Sequence, residues 1–427
     1  MATLITIIFI LGYLAIALEH PIKINKTASA LLIAVLTWVV YILGSSDSHH
    51  VNAQLMEHLG DVSQIVFFLM GAMTIVELID GHNGFSVITD RITATKKTSL
   101  LWIIGLITFI LSAILDNLTT TIVMVSLLHK LVKETKDRLL FAGIVVIAAN
   151  AGGAWTPIGD VTTTMLWIGN QISAGNIMLK LIAPSLICLL TPLIYLSFKM
   201  KGHVTRPAGT RDQHKLSLPD KEQKIILYAG VGTLIMVPVF KTFTHLPPYM
   251  GILLGLGFLW VLTELMHKNK SAENRAPFTV PNALKRIDMS SILFFLGILL
   301  CIASLESVGI LPQVALWMDE HIQNESIIAM TIGVLSSIVD NVPLVAACQG
   351  MYPLADYPTD SYFWEFLAFS AGTGGSILII GSAAGVAAMG LEKIDFIWYL
   401  KHVSLLAFMG FLAGSLAYIL QHQLLHL

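Results

Sequence analysis

The chain has 427 residues, 55% of them hydrophobic and 12% charged, with a mean hydropathy of +0.77, whereas soluble domains carry roughly 25% charge. That balance excludes an ordinary soluble domain and places the chain in a bilayer. The net charge of −2 and sequence pI near 6.7 give no sign of a nucleic-acid partner, and Cys188, Cys301 and Cys348 all fall in apolar segments at spacings that suit neither a disulfide framework nor a zinc site.

Apolar stretches near the roughly 20 residues needed to cross the hydrocarbon core predict spans near 2–18, 28–44, 62–80, 139–167, 178–198, 225–243, 250–266, 289–307, 363–391 and 396–420. The first has no Lys or Arg before it and no small-residue cleavage site after it, so a removable signal peptide is not expected. Two more apolar segments, 98–129 and 326–352, are interrupted by Asp116-Asn117-Leu118-Thr119-Thr120-Thr121 and by Asp340-Asn341-Val342-Pro343. Each reads better as a re-entrant helical hairpin than as one long span, because polar non-helical backbone at membrane depth needs protein or water around it. Two tightly turned short spans are the other reading. The expected fold is therefore an all-α polytopic membrane protein, one transporter domain over 1–427, with about ten full spans plus two hairpins.

Charge placement orients this layout, since short cytoplasmic loops should hold the Lys and Arg. Lys23, Lys26, Arg91, Lys96, Lys97, Lys130, Lys133, Lys136 and Arg138 fall on one side, with the basic linker 199–224 and Lys268, Lys270, Arg275, Lys285, Arg286 and Lys393. The segments 45–61, 168–177, 308–325 and 353–362 contain no Lys or Arg, which puts the N-terminus outside and leaves Lys241 at an outer end to snorkel.

An odd number of spans per half means that a duplicated unit returns upside down. Leu111-Ser112-Ala113-Ile114-Leu115-Asp116-Asn117 matches Leu335-Ser336-Ser337-Ile338-Val339-Asp340-Asn341. Val66-Phe67-Phe68-Leu69 matches Leu293-Phe294-Phe295-Leu296 before it, and Ala149-Asn150-Ala151-Gly152-Gly153 matches Ala371-Gly372-Thr373-Gly374-Gly375 after it. Three landmarks in one order predict two inverted-topology repeats, 1–198 and 225–427, joined by the cytoplasmic linker 199–224. Each holds a re-entrant hairpin and a broken transmembrane helix, with the hairpin tips facing each other.

The chemistry sits at those interruptions. Gly152-Gly153, followed by Thr156-Pro157-Ile158-Gly159, and Gly374-Gly375 should unwind their spans and free carbonyls and helix ends as ion ligands. Close helix packing is the simpler use of such glycines. Asp116, Asp160 and Asp340 lie deep, where an ionisable group costs several kcal/mol and marks an ion path, and no Lys or Arg lies in the apolar segments that carry them. An unpaired buried carboxylate either takes a proton or holds a cation, which is the competition an antiporter needs.

Hard cations prefer oxygen ligands, and Asn117, Thr120, Asn150, Thr162, Thr163, Asn341, Thr373, Ser376 and Ser382 offer them. The alternative makes Asp116 and Asn341 helix N-caps. Because Asp160 corresponds to Ser382, repeat one is expected to hold the principal sodium site, at Asp116, Asn117, Asn150, Asp160, Thr162 and Thr163. Glu77 and Glu306 are expected near opposite mouths in snorkelling or gating roles. His82 and His129 near the inner mouth suit either pH sensing or plain solvation.

At these residues the chain resembles the NhaD-type sodium/proton antiporters of the ion transporter superfamily. The similarity runs from Glu19-His20 through Asp116 to Thr121 and Asn150 to Thr164 to Asp340-Asn341-Val342-Pro343. The superfamily also holds sodium-coupled dicarboxylate carriers with Ser-Asn-Thr hairpin tips; here Asp replaces that Ser at both tips, which repels an anion and adds a protonatable group. The resemblance implies a homodimer that transports sodium or lithium against protons, with no cofactor and no enzymatic activity, in a membrane expected to be the bacterial inner (cell) membrane. A sodium-coupled anion symporter is the nearest rival, motivated by helix N-termini that bind carboxylates. An intramembrane aspartyl protease is a remote one, because Gly159-Asp160 follows Pro157-Ile158 rather than the Gly-x-Gly-Asp of such enzymes.

Overall fold

The computed structural model describes residues 1–89, 91–206 and 218–425, so part of the linker expected at 199–224 lies outside the described residues. Everything regular among them is helical, apart from one isolated bridge between Lys96 and His203.

α1 (Ala2–Ala17) leads through the short turn α2 (Glu19–Ile22) to α3 (Lys26–Gly44), which Asn25 starts by accepting the Thr27 N–H at 2.8 Å. α4 (Ser48–Gly81) is capped by Asp47, which accepts from the His49 and His50 N–H groups. Its 34 residues extend about 50 Å at 1.5 Å per residue. Most of 45–61, expected as a connection, is therefore helix that projects beyond a hydrocarbon core. After α5 (Ser86–Thr89), α6 (Lys97–Leu115) and α7 (Asn117–Leu131) meet at the single non-helical residue Asp116.

The expected span 139–167 is two helices, α8 (Thr135–Gly153) and α9 (Val161–Ile168), followed by α10 (Ala174–Lys199). α11 (Asp220–Thr244) and α12 (Pro248–His267) precede the short α13 (Ala272–Arg275) and α14 (Val280–Arg286), then α15 (Met289–Ser307). α16 (Ile310–His321) occupies a segment expected to be a loop. α17 (Glu325–Leu335) and α18 (Asn341–Met351) are separated by five residues, and 363–391 divides into α19 (Tyr362–Gly374) and α20 (Ala383–Glu392). The last expected span is likewise interrupted, giving α21 (Phe396–His402) and α22 (Ser404–Leu425).

Among the described residues eight helices, α3, α4, α6, α10, α11, α12, α15 and α22, are long and apolar enough to cross a membrane. Leu43, Leu179, Phe198 and Phe243 are each at least 76% exposed on such helices, an arrangement that lipid rather than water favours. The chain is thus a multi-pass integral membrane protein. All three cysteines are buried and free.

Two groups of helices pack side by side. α1 and α15 lie on α3, and α4 packs on α12, α15 and α11, which makes a frame. The second group surrounds the breaks: α6 and α7 pack on α8, α17 on α19, α20 on α7, and α10 on α22. Close backbone approach fixes the breaks in place. A Cβ at Gly152 would lie 2.3 Å from the Phe109 carbonyl oxygen of α6, and one at Gly374 would lie 1.9 Å from the Gly333 carbonyl oxygen of α17. Ser112 donates its hydroxyl to the Ala149 carbonyl at 2.6 Å, as Ser336 does to the Ala371 carbonyl at 2.8 Å.

Candidate cation site

A broken helix presents fresh backbone donors at the start of its second half. Asp160 meets those of α9: its Oδ1 accepts the Thr162 N–H at 3.1 Å, and Thr163 returns its hydroxyl to the Asp160 carbonyl at 2.9 Å. The other carboxylate oxygen, Oδ2, points into the protein and is met from two directions. Asn117, the first residue of α7, donates Nδ2 to it at 2.9 Å, and Asn341, the first residue of α18, approaches it at 3.5 Å.

Asn150 of α8 extends the cluster. Its Oδ1 accepts from Asn117 at 3.0 Å, and its Nδ2 donates to the Ser376 and Ser382 hydroxyls, each at 2.9 Å. Ser382 in turn caps α20 by accepting the Gly385 N–H at 3.2 Å. Asp160, Asn117, Asn150, Asn341, Ser376 and Ser382 are all at least 96% buried. The Thr120 hydroxyl is buried without a hydrogen-bond partner, one turn along α7 from Asn117.

The three acidic residues singled out in the sequence do not share one environment. Asp116 is the cap of α7, with its Oδ1 accepting the Thr119 N–H at 2.7 Å and its Oδ2 the Thr119 hydroxyl at 2.8 Å. Asp340 caps α18 through the Val342 N–H at 3.3 Å. Its other oxygen lies 3.3 Å from Lys26 Nζ, so the expectation that no Lys reaches these carboxylates is corrected: Lys26, read as a loop charge, begins α3 and reaches inward. Thr373 stays within its own helix, donating to the Phe369 carbonyl at 2.6 Å.

Two cavities flank the cluster. One, of about 310 Å³, is lined by Glu77, Asp80, Thr119, Lys130 and Arg286; the other, of about 540 Å³, by His58, Asp61, Met165, Lys241, Glu306 and Gln349. They touch opposite ends of α4, and neither wall includes Asp160. Glu77 Oε1 is 2.7 Å from Arg286 Nε of α14. Glu306 sits against Gly350 of α18.

Lys241 donates to the Trp167 carbonyl at 2.7 Å and so caps the end of α9. Both ring nitrogens of His82 are engaged, Nδ1 with the Leu78 carbonyl and Nε2 with His267 Nε2 at 3.0 Å, which leaves it no solvated edge. His129 lies 3.1 Å from Glu392, whose carboxylate also receives Arg138 Nε at 2.8 and 2.9 Å. That knot fastens α7, α8 and α20 together at the Lys- and Arg-rich end.

Sequence reasoning missed Lys26, Glu392 and Glu365. Glu365 is buried in α19, where it accepts from Tyr418 Oη at 2.5 Å and from Asn176. A Glu at positions 365 and 392, inside the span expected at 363–391 and at its edge, was the available signal for two of them.

A family profile described as citrate transporter matches residues 13–366. The chain is 52% identical to sodium/proton antiporter 1 of Arabidopsis thaliana, covering 98% of this chain and 72% of that one, and 50% identical to sodium/proton antiporter 2 of the same plant, covering 98% and 99%. It is 30% identical to the Na(+)/H(+) antiporter NhaD of Vibrio cholerae over 98% of this chain and 91% of that one. The Asp-Asn tips and the broken helix carrying Asp160 are thus features of a chain that belongs to the NhaD-type sodium/proton antiporters of the ion transporter superfamily.

Proposed function

We propose that the chain exchanges sodium or lithium for protons at Asp160, with Asn117, Asn150, Thr162 and Thr163 as the oxygen ligands of the cation. It is a transporter, not an enzyme, and sodium and protons are its cargo. The observation that carries the reading is the convergence of two tips, through Asn117 and Asn341, on one carboxylate oxygen of Asp160. That carboxylate has only neutral donors around it. In a buried, water-poor setting a proton or a sodium ion neutralises it, and each excludes the other. Exchange follows from that competition.

The surroundings support two inverted repeats of hairpin and broken helix, since Ser112 to Ala149 is repeated by Ser336 to Ala371, and Gly152 on Phe109 by Gly374 on Gly333. We place the N-terminus outside, with the Lys- and Arg-rich end in the cytoplasm. The cavities at the two ends of α4 then serve as the inner and outer approaches, opened in turn as the second helix group moves against the frame. A homodimer assembled through the frame is in keeping with this division of labour. Bacterial relatives support a bacterial cell membrane as the host, and the plant relatives support a plant membrane equally well.

The citrate transporter profile motivates the rival, a sodium-coupled anion symporter. A carboxylate at the centre of the cluster opposes it, because Asp160 would repel an anionic substrate held there. The test is a sodium jump on proteoliposomes that carry an internal pH dye. Sodium-driven proton flux in wild type, lost in Asp160→Asn, is expected. Labelled dicarboxylate uptake with sodium and without proton movement would replace antiport by symport.

A further inference from the structure

Asp116 and Asp340 occupy corresponding positions, yet among the described residues only Asp340 has a cationic side chain in ion-pair contact. Lys26 Nζ lies 3.3 Å from Asp340 Oδ2 and 4.3 Å from the centre of the Phe294 ring, and the Lys26 backbone N–H donates to Glu19 Oε1 at 3.1 Å. The Lys26 side chain is 25% exposed and that of Asp340 16%. Both line a cavity of about 330 Å³ whose other walls include Tyr13, Glu19, Met389 and Phe396. One ion pair and an aromatic floor therefore hold this ammonium, and the bond from the Lys26 backbone to Glu19 anchors its residue, rather than leaving it to wander as a surface lysine does.

We propose that Lys26 is the resident counter-cation of the second tip: it neutralises Asp340, withdraws that carboxylate from ion exchange, and leaves Asp160 to carry the exchange. The proposal rests on the reading of Asp160 as the exchanging group. A carboxylate that already holds an ammonium has no net charge to offer sodium. The spare neighbour Asn341 supplies only its amide to Asp160, at 3.5 Å. The pair also joins the frame, through α3, to the tip of α18, one residue from the ion cluster. Lys26 is thus a positioning residue that sets how many carboxylates the cation sees.

The logic of a half-buried ion pair supplies the test. Removing one partner strands the other charge beside the site, whereas removing both leaves a neutral tip. In Asp340→Asn the ammonium of Lys26 would repel the incoming cation, and in Lys26→Gln the carboxylate of Asp340 would compete for it.

Sodium-driven proton flux and half-saturating sodium are measured in proteoliposomes for wild type, Lys26→Arg, Lys26→Gln, Asp340→Asn and the double variant Lys26→Gln/Asp340→Asn. Only monodisperse preparations with matched thermal unfolding are compared. Each single neutralisation is expected to raise half-saturating sodium or cut flux by about tenfold, and the double variant to recover to within about threefold of wild type, as Lys26→Arg does. A double variant no better than Asp340→Asn would overturn the proposal, because Asp340 would then be needed for itself. So would full activity in both single variants, which would make the pair idle. Absence of sodium-driven flux in wild type would sink the antiport reading and this inference with it, a result distinct from either failure among the variants.

Discussion

The two tips begin with the same dipeptide, Asp-Asn, and fold differently. At the first, α6 runs to Leu115 and α7 starts at Asn117, so one residue makes the whole turn, and Asp116 takes φ 110° and ψ 159°, a region in which side chains are strained. At the second, α17 stops at Leu335 and five residues share the turn, so Asp340 sits at φ −49° and ψ 136° without strain. The strained tip places its Asn at 2.9 Å from Asp160 and the relaxed tip at 3.5 Å. One turn thus sits taut beside Asp160, and the other is tied by Lys26 to α3.

The largest effect should fall on the group that both tips address. Asp160→Asn removes a charged ligand, about 2–3 kcal/mol, so sodium affinity should fall on the order of 100-fold and proton coupling should vanish in the flux assay. Next come the asparagines. Asn117→Ala loses two bonds and should raise half-saturating sodium about tenfold, whereas Asn341→Ala, with one long contact, should raise it about threefold; equal effects would break the comparison of tips.

Glycine separates strain from capping. Asp116→Gly gives up a cap of about 1 kcal/mol and relieves about 1–3 kcal/mol of strain, so thermal unfolding should hold or rise. Asp340→Gly gives up its cap and its partner Lys26 with nothing regained, so its unfolding temperature should fall. The smallest effects belong to the serines below each tip. Ser112→Ala and Ser336→Ala each lose one bond to a carbonyl, worth about 1 kcal/mol, and should lower stability equally, because there the two halves match.

Much of the layout was legible because hydropathy reports lipid exposure directly and glycine pairs report unwinding. The breaks at Gly153 and Gly374 and the cluster of Asp160 with Asn117 and Asn150 follow from local composition. What was not legible depends on long-range placement. Lys26 and Asp340 are 314 residues apart, and no local pattern announces that a lysine beside an asparagine cap turns inward. Nor does the Asp-Asn motif say how many residues will share a turn, which is why the strain at Asp116 and its absence at Asp340 were invisible. α16 was missed because it leaves Leu316 and Trp317 exposed and is too short to read as a span.

The knot at Glu392 has a consequence for selectivity. Through His129 and Arg138 it ties together at one end α7, α8 and α20, the helices that carry Asn117 and Asn150 and that Ser382 caps. On the exchange proposed at Asp160, a cation carried by such a block would meet the same coordination shell at departure and at arrival. Discrimination between ions of different radius would then be built once, and the passage across the bilayer would change only which water the site faces.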